Sequence, residues 1–211
     1  MFVLSRARMC NAKKLEMNLT MKNINARRDA LFLGASAVAA TVIPLGQSFA
    51  QTLPAGGTWL AQVQMQHKMI ESTFEKLLSS ANSTYLQQQK IQDLLSYQLS
   101  AHSVAEENVL YPMIAARGMV SESDKLYMDQ AHAKVMNAQL EMTLLHKKGD
   151  PAWLDIARKL QAAVFSHAKE DEEANLYPRL LSMLTAQENL ELSAMYAREF
   201  LAVKPRRNAS A

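Results

Sequence analysis

The feature that most constrains the fold is a series of long helical stretches separated by residues that break helices. Apolar side chains recur at helical spacing from Trp59 onward, and no stretch alternates in the way that predicts a strand. Gly118 and the triplet Gly149-Asp150-Pro151 are typical of helix ends and starts. The sequence therefore predicts four long helices, over about residues 58–79, 84–117, 121–147 and 151–184.

Smaller signals refine these boundaries. Ser121 opens the stretch SESD and is expected to cap the third helix. Pro112 and Pro178 are expected to kink or end the second and fourth helices near their tails. The capping box TAQE from Thr185 to Glu188 predicts a shorter fifth helix. Short loops between long helices favour an all-α fold, an antiparallel up-down four-helix bundle with a shorter fifth C-terminal helix.

Charge is divided unequally along the chain. Residues 1–50 hold seven Lys/Arg and two Asp/Glu, a balance of +5, whereas residues 51–211 hold sixteen and eighteen, a balance of −2. The basic character therefore belongs to the first segment, and we expect no nucleic-acid partner. Cys10 is the only cysteine, so residues 51–211 can form neither disulfides nor thiolate ligands.

The first segment is typical of an export signal. Arg27 and Arg28 precede an uncharged run over residues 30–45, and Ser48 to Ala50 supply small residues for a cut before Gln51. The run is short for a stable membrane span. We therefore expect a leader over 1–50 and a mature domain over 51–211, with Met1, Met17 or Met21 as the start.

The arginine pair resembles a twin-arginine signal. Asp29 and Leu31 fit that resemblance, while Ala30 and Phe32 depart from its preferred pattern. It implies export to a bacterial periplasm.

Four histidines are spaced regularly through the expected bundle. The first two and the last two are each 35 residues apart, and one falls on each long helix. In an antiparallel bundle this spacing brings four imidazoles to one level of the core. Neutral imidazole and carboxylate suit iron or manganese, so a metal site is favoured over four unrelated core histidines. The four are His67, His102, His132 and His167.

Two near copies of one motif add carboxylates. In HSVAEENVLYP, Glu106 follows His102 by four residues, which places both on one helical face. In HAKEDEEANLYP, Glu172 follows its histidine by five residues, a poor spacing in a regular helix. Either the helix contains a π-type bulge or Asp171 takes the role, and both alternatives stay open.

The neighbours of these motifs receive simpler interpretations. We expect Glu107 and Glu173 to be solvated, and Tyr111 and Tyr177 to pack at the end of the bundle. Asp129, three residues before a histidine, is a candidate to orient His132.

One histidine on the first helix, H-x3-E on the second, histidine on the third and H-x4-[DE] on the fourth resemble the hemerythrin family over residues 60–182. A ferritin-like site would need Glu-x-x-His motifs, which this sequence lacks. The resemblance implies two non-haem irons, with manganese as the alternative metal. It places the metal ligands at His67 and His102 on one iron, His132 and His167 on the other, and Glu106 and Glu172 as bridges.

One departure bears on function. The respiratory members carry a second histidine where this chain has Met136. The absence of this histidine argues against plain reversible oxygen carriage. It implies that one iron has a coordination position that the protein does not fill. The resemblance implies binding of oxygen or a related small diatomic ligand for sensing, storage or protection. The alternatives are an enzyme that reduces peroxide and an iron store.

Overall fold

A computed structural model describes residues 57–146 and 151–205. Every regular element in these two ranges is helical, which confirms the all-α class for the described residues. The expected leader, the boundary at residue 50 and Asp150 lie outside them. Within the same ranges no helix combines the length and the apolar character needed to cross a bilayer.

The second and fourth long helices each contain a π-helical segment. We call these segments π1, Glu106–Leu110, and π2, His167–Leu176. The α-helices are α1 Trp59–Ser79, α2 Tyr85–Ala105, α3 Tyr111–Ala116, α4 Val120–His146, α5 Ala152–Ser166, α6 Tyr177–Ser182 and α7 Ala186–Ala202. A single 3₁₀ turn, Ser80–Asn82, follows α1. The second predicted helix is thus α2–π1–α3, and the fourth is α5–π2–α6.

Hydrogen bonds explain why the π segments stand directly before the two prolines. The Tyr111 N–H donates to the carbonyl of Glu106, and the Tyr177 N–H donates to that of Glu172, each across five residues. Pro112 and Pro178 follow in the first turn of α3 and α6, where a missing N–H costs little. Of the two expected effects, ending the helix is excluded, because each helix continues past its proline.

The predicted end of the second helix at Gly118 is close to the observed one. The glycine has φ +88°, in the left-handed region, and its N–H donates to the Ala115 carbonyl. Nothing lies within 4 Å of where a Cβ would stand, so the backbone conformation is what favours glycine here.

The capping box before α7 is confirmed. The Thr185 hydroxyl accepts the backbone N–H of Glu188, whose carboxylate accepts the backbone N–H of Thr185. The prediction that Ser121 caps α4 is wrong, since α4 already begins at Val120. The Ser121 hydroxyl donates instead to the adjacent Glu122 carboxylate.

Neighbouring helices around the core are antiparallel. Between α1 and α2, His67 meets His102, while Gln88 near the start of α2 donates to the carbonyl of Ser80 just after α1. Residue numbers therefore rise along one helix as they fall along the other.

The four long helices surround the core as a ring, and the other neighbouring helices of this ring contact each other in the same antiparallel order. Between α2 and α4, Ser96 meets Asn137 and Ser103 meets Gln130. The fourth helix returns to α1, where the ring of Phe74 contacts that of Phe165 and the ring of Trp59 contacts that of Tyr177. Helix α7 covers α1 and α2, and Ser193 on α7 accepts the backbone N–H of Trp59.

Two apolar clusters fill the ring, one toward each end. One contains Trp59, Val63, Ala101, Ala105, Leu110, Tyr111, Leu126, Tyr177, Tyr196 and Phe200 among its members. The other contains Ile70, Phe74, Leu77, Leu95, Leu140, Leu144, Trp153, Ala157 and Leu160. His67 lies on α1 between Val63 of the first cluster and Ile70 of the second, so polar groups occupy the level between them.

We predict that Thr185→Ala lowers the free energy of unfolding by about 1 kcal/mol, because it removes the capping oxygen of α7. Ser121→Ala is the matched control and should change it by less than about 0.5 kcal/mol, since its hydroxyl caps nothing. Urea denaturation measures both values. Equal losses in the two variants would contradict this view of the helix starts.

Candidate metal centre

Four of the six residues expected to bind metal come together in the core. His67, His102, Glu106 and Glu172 are all buried, and each offers one ligand atom within 4.8 Å of the others. The Nε2 atoms of His67 and His102 are 3.1 Å apart. A fifth residue adjoins them, since Nε2 of His167 lies 3.0 Å from Oε1 of Glu172.

The π segment decides which carboxylate of the second motif faces the core. Segment π2 begins at His167, and its wider turn brings Glu172, five residues on, back to the same face. Glu172 is fully buried. Asp171 instead pairs with Lys125 on the outside of the bundle. Of the two alternatives left open by the sequence, the π-type bulge is the one observed.

Each of the three core histidines has a hydrogen-bond acceptor at Nδ1. His67 Nδ1 lies 2.6 Å from Glu173, and His102 Nδ1 lies 2.9 Å from the amide oxygen of Gln66. His167 Nδ1 lies 3.4 Å from Asp129. An acceptor at Nδ1 keeps the proton there and turns the lone pair of Nε2 toward the cluster, as in metal-binding histidines generally.

These contacts correct two expectations. Glu173 is not simply solvated, because it orients His67. Asp129 contacts His167 rather than His132. Glu107 does lie toward the outside, where it pairs with Lys134.

His132 does not reach the cluster. Its side chain is exposed, whereas Gln130, two residues earlier, is buried. Two residues turn an α-helix by about 200°, so the two side chains point to opposite sides of α4. The expectation that all four histidines converge is therefore wrong for His132. The rotation of α4 is set by the buried side chains Ser123, Leu126, Gln130, Leu140 and Leu144.

Tyr111 and Tyr177 are functional candidates that the sequence interpretation missed. The Tyr111 hydroxyl donates to Glu172 at 2.9 Å and to Glu106 at 3.2 Å. The Tyr177 hydroxyl also donates to both carboxylates, at 2.8 Å to Glu172. Each tyrosine follows its glutamate by five residues, the spacing that a π-helix aligns, and this repeated spacing was the available signal.

Two further polar side chains complete the surroundings of the cluster. The Gln130 amide donates to Glu106 at 2.8 Å and to the Tyr111 hydroxyl at 3.0 Å. On the α7 side, the Tyr196 hydroxyl donates to the same Gln66 oxygen that faces His102. The carboxylates are thus held by neutral donors on one side and histidines on the other.

The Glu172 carboxyl keeps its negative charge although it is buried. Burial opposes the charge, but His167 and His67 hold the pKa of Glu172 well below its usual range. Burial would lower the pKa of His167, yet the Glu172 carboxylate raises it to about 9. Glu172 and His167 therefore form a charged pair when metal is absent.

Glu106 behaves in the opposite way. Burial, followed by repulsion from Glu172, raises the pKa of Glu106 to about 8. Burial also lowers the pKa of His102 well below its usual range, an effect that the neighbouring His67 reinforces. At neutral pH the metal-free site therefore has a neutral His102 beside a protonated Glu106, 3.2 Å apart.

The donor set fits a metal ion. Oε2 of Glu172 is buried and receives no hydrogen bond, although His67 Nε2 lies 3.3 Å away. Ligand atoms about 3 Å apart are expected around an ion with bonds of about 2.1 Å, and the cluster distances of 3.0–3.3 Å match this. Imidazole with carboxylate is a donor set for iron or manganese.

The helices of the described residues bring buried histidines and carboxylates to one level of the core, an arrangement typical of helical metal-binding proteins. More specifically, the model of the hemerythrin HHE cation-binding domain matches residues 60–180, and the chain belongs to that family. The family and the cluster together indicate a metal site, typically of iron.

The chain is also similar to a protein named DNA nickase from Nostoc sp. The two are 27% identical over 145 residues, which is 67% of this chain. The matched part spans only 38% of that relative's length.

We predict that the two buried glutamates respond differently to amidation in the metal-free protein. Glu172→Gln removes the charged partner of His167 and should cost roughly 3–5 kcal/mol of unfolding free energy. Glu106→Gln replaces a carboxyl that is already protonated, so its cost should be about 1 kcal/mol or less. Urea denaturation at pH 7 with a chelator present measures both, and a larger loss for Glu106→Gln would refute the assigned charges.

Proposed function

We propose that this chain is a hemerythrin-type protein with two non-haem irons that binds oxygen or a related small ligand. The observation that carries the proposal is the convergence of the His67 and His102 Nε2 atoms on two fully buried carboxylates. The proposal includes the antiparallel four-helix bundle with a fifth C-terminal helix, which the contacts around the ring support.

Within this proposal, Glu106 and Glu172 would supply the carboxylate ligands of the metal centre. His67, His102 and His167 would bind through Nε2, since their Nδ1 atoms face acceptors. Bound iron would supply a redox-active centre for a small ligand. The Tyr111 and Tyr177 hydroxyls hold the carboxylates in place and exclude water from them.

The number of protein donors favours ligand binding. With His132 outside the cluster, three histidines and two carboxylates remain for two ions. Such a set leaves coordination positions for an external ligand, as open catalytic or binding metal sites do. Met136 adds no imidazole or carboxylate donor. It is partly buried and packs against the apolar cluster that contains Ile70 and Phe74.

We predict that the double variant His102→Ala/His167→Ala loses most of its iron, because both residues offer Nε2 to the cluster. His146→Ala, an exposed histidine on the same helix as His132, is the control and should keep the wild-type iron content. His132→Ala should keep it as well. Iron per chain is measured by elemental analysis after reconstitution.

Unchanged iron in the double variant would refute the metal site. Loss of iron in His132→Ala would show instead that α4 rotates about its axis when metal binds. The ligand set inferred from the family would then be the right one.

A second candidate is reduction of peroxide to water, for which an external electron donor would supply two electrons and the site two protons. The observation that favours it is the pair of phenol hydroxyls at the carboxylates, since they place proton donors inside the site. Burial and the two carboxylates raise the pKa of both phenols well above the usual value, so both remain protonated.

Two measurements on the iron-loaded protein separate the candidates. A visible spectrum that changes reversibly with oxygen, without consumption of added peroxide, is the result we expect. Sustained peroxide consumption that falls about tenfold or more in Tyr111→Phe would favour the enzyme. Uptake of many irons per chain would favour iron storage.

The activity named for the nickase relative is not part of this proposal. The ligand atoms of the cluster belong to residues that are at most 7% exposed, and a DNA phosphodiester is too bulky to reach them between packed helices. The similarity is fully compatible with a shared metal-binding domain, since the match covers only part of that relative.

Export is a further part of the proposal. The leader over residues 1–50, with Arg27 and Arg28 before an apolar run, supports passage to a periplasm and a mature domain over 51–211. Arg27→Lys/Arg28→Lys should retain the protein in the cytoplasm of a bacterial host if the twin-arginine route is used. Unchanged recovery from the periplasmic fraction would exclude that route.

A further inference from the structure

A cleft of about 190 Å³ lies between α2 and α4. Leu99, Ser100 and Ser103 line it from α2. Gln130, Ala133 and Ala138 are among the residues that line it from α4. One water molecule needs only about 10–15 Å³ of such space, so the cleft can hold a small molecule.

The inner end of this cleft is one side chain away from the metal centre. The Ser103 hydroxyl donates to the Gln130 amide oxygen at 2.7 Å, and both residues are buried. The other end of the same amide donates to Glu106 at 2.8 Å and to the Tyr111 hydroxyl. Gln130 therefore has one face on the cleft and the other on the cluster.

The lining of the cleft favours an uncharged occupant. Leu99, Ala133 and Ala138 supply apolar surface, while the carboxylate of Glu141 also lines the cleft and has an interaction of its own. The Asn137 amide is already bonded to Ser96, and the ammonium of Lys134 at the rim is paired with Glu107. A charged species would have to displace these pairs, whereas a small neutral molecule would not.

We propose that this cleft is the access path by which a small neutral ligand, such as dioxygen or nitric oxide, reaches the metal centre. Gln130 is the partition that the ligand must pass. The inference rests on the proposed function, because it names the route to that site. The passage requires a rotation of the Gln130 side chain, during which Ser103, Glu106 and Tyr111 all lose its amide as a partner.

The test uses a matched pair of tryptophan variants. Ala138→Trp fills the cleft from an exposed position on α4, and Ala162→Trp places the same side chain at an exposed position on α5. Nitric oxide binding to the ferrous protein is followed by stopped-flow absorbance. Blocking a path slows entry and exit by the same factor, so Ala138→Trp should lower both rates about tenfold and leave the Kd within about twofold.

Equal rates in Ala138→Trp and Ala162→Trp would overturn the proposal. A changed Kd with unchanged association would also overturn it, because the cleft would then shape the site rather than lead to it. If the wild-type protein binds no nitric oxide, the proposed function fails, and the cleft is tested separately by crystals under xenon. Xenon should lie beside Leu99 and Ala133 in the wild-type protein and be absent from Ala138→Trp.

Discussion

The arrangement of the core depends on two carboxylates that are both fully removed from water. Glu106 and Glu172 are each 0% exposed, and two like charges in such a place repel each other. In the metal-free protein the two carboxyl groups have different protonation states. Glu172 is ionised and paired with His167, whereas Glu106 has a pKa of about 8 and is protonated. Because metal ions are positively charged, their binding would allow both carboxylates to be ionised together. The histidines, phenols and amides around the pair are arranged as its partners, and the apolar clusters above and below keep water out.

Two π-helical segments make this arrangement possible. In a regular helix a residue five positions on faces another side, but the hydrogen bonds across five residues in π1 and π2 restore alignment. The same device aligns His167 with Glu172, Glu106 with Tyr111, and Glu172 with Tyr177. The prolines that follow each segment cannot donate a backbone hydrogen bond, which fits the change of pattern at these points. The near-repeat in the sequence is thus a repeat of local geometry as well as of residue types.

The helices and half of the site chemistry could be predicted from sequence because they depend on local signals. Apolar periodicity and capping residues located the helices to within a few residues, and the spacing of His102 and Glu106 placed them on one face. The rotation of α4 could not be predicted in this way. It depends on which face of this weakly amphipathic helix packs best against the core. Leu126, Leu140 and Leu144 bury the face that carries Gln130, and His132 on the opposite face is therefore exposed. The tyrosines were missed because regular helix geometry was assumed for the five-residue step from each glutamate to its tyrosine, although a π-type bulge was considered for the step from His167 to Glu172. Ser121 was misassigned because a capping motif one residue inside a helix looks the same in sequence as one at its start.

We propose that two metal ions bind at the carboxylate pair, and the other functional proposals depend on this one. The most direct measurement is anomalous diffraction at the iron edge from crystals of the reconstituted protein. The account predicts two anomalous peaks beside Glu106 and Glu172, each within bonding distance, about 2.1 Å, of at least one Nε2 atom of His67, His102 or His167. A single peak elsewhere, or no peak in a protein that retains the native fold, would contradict it.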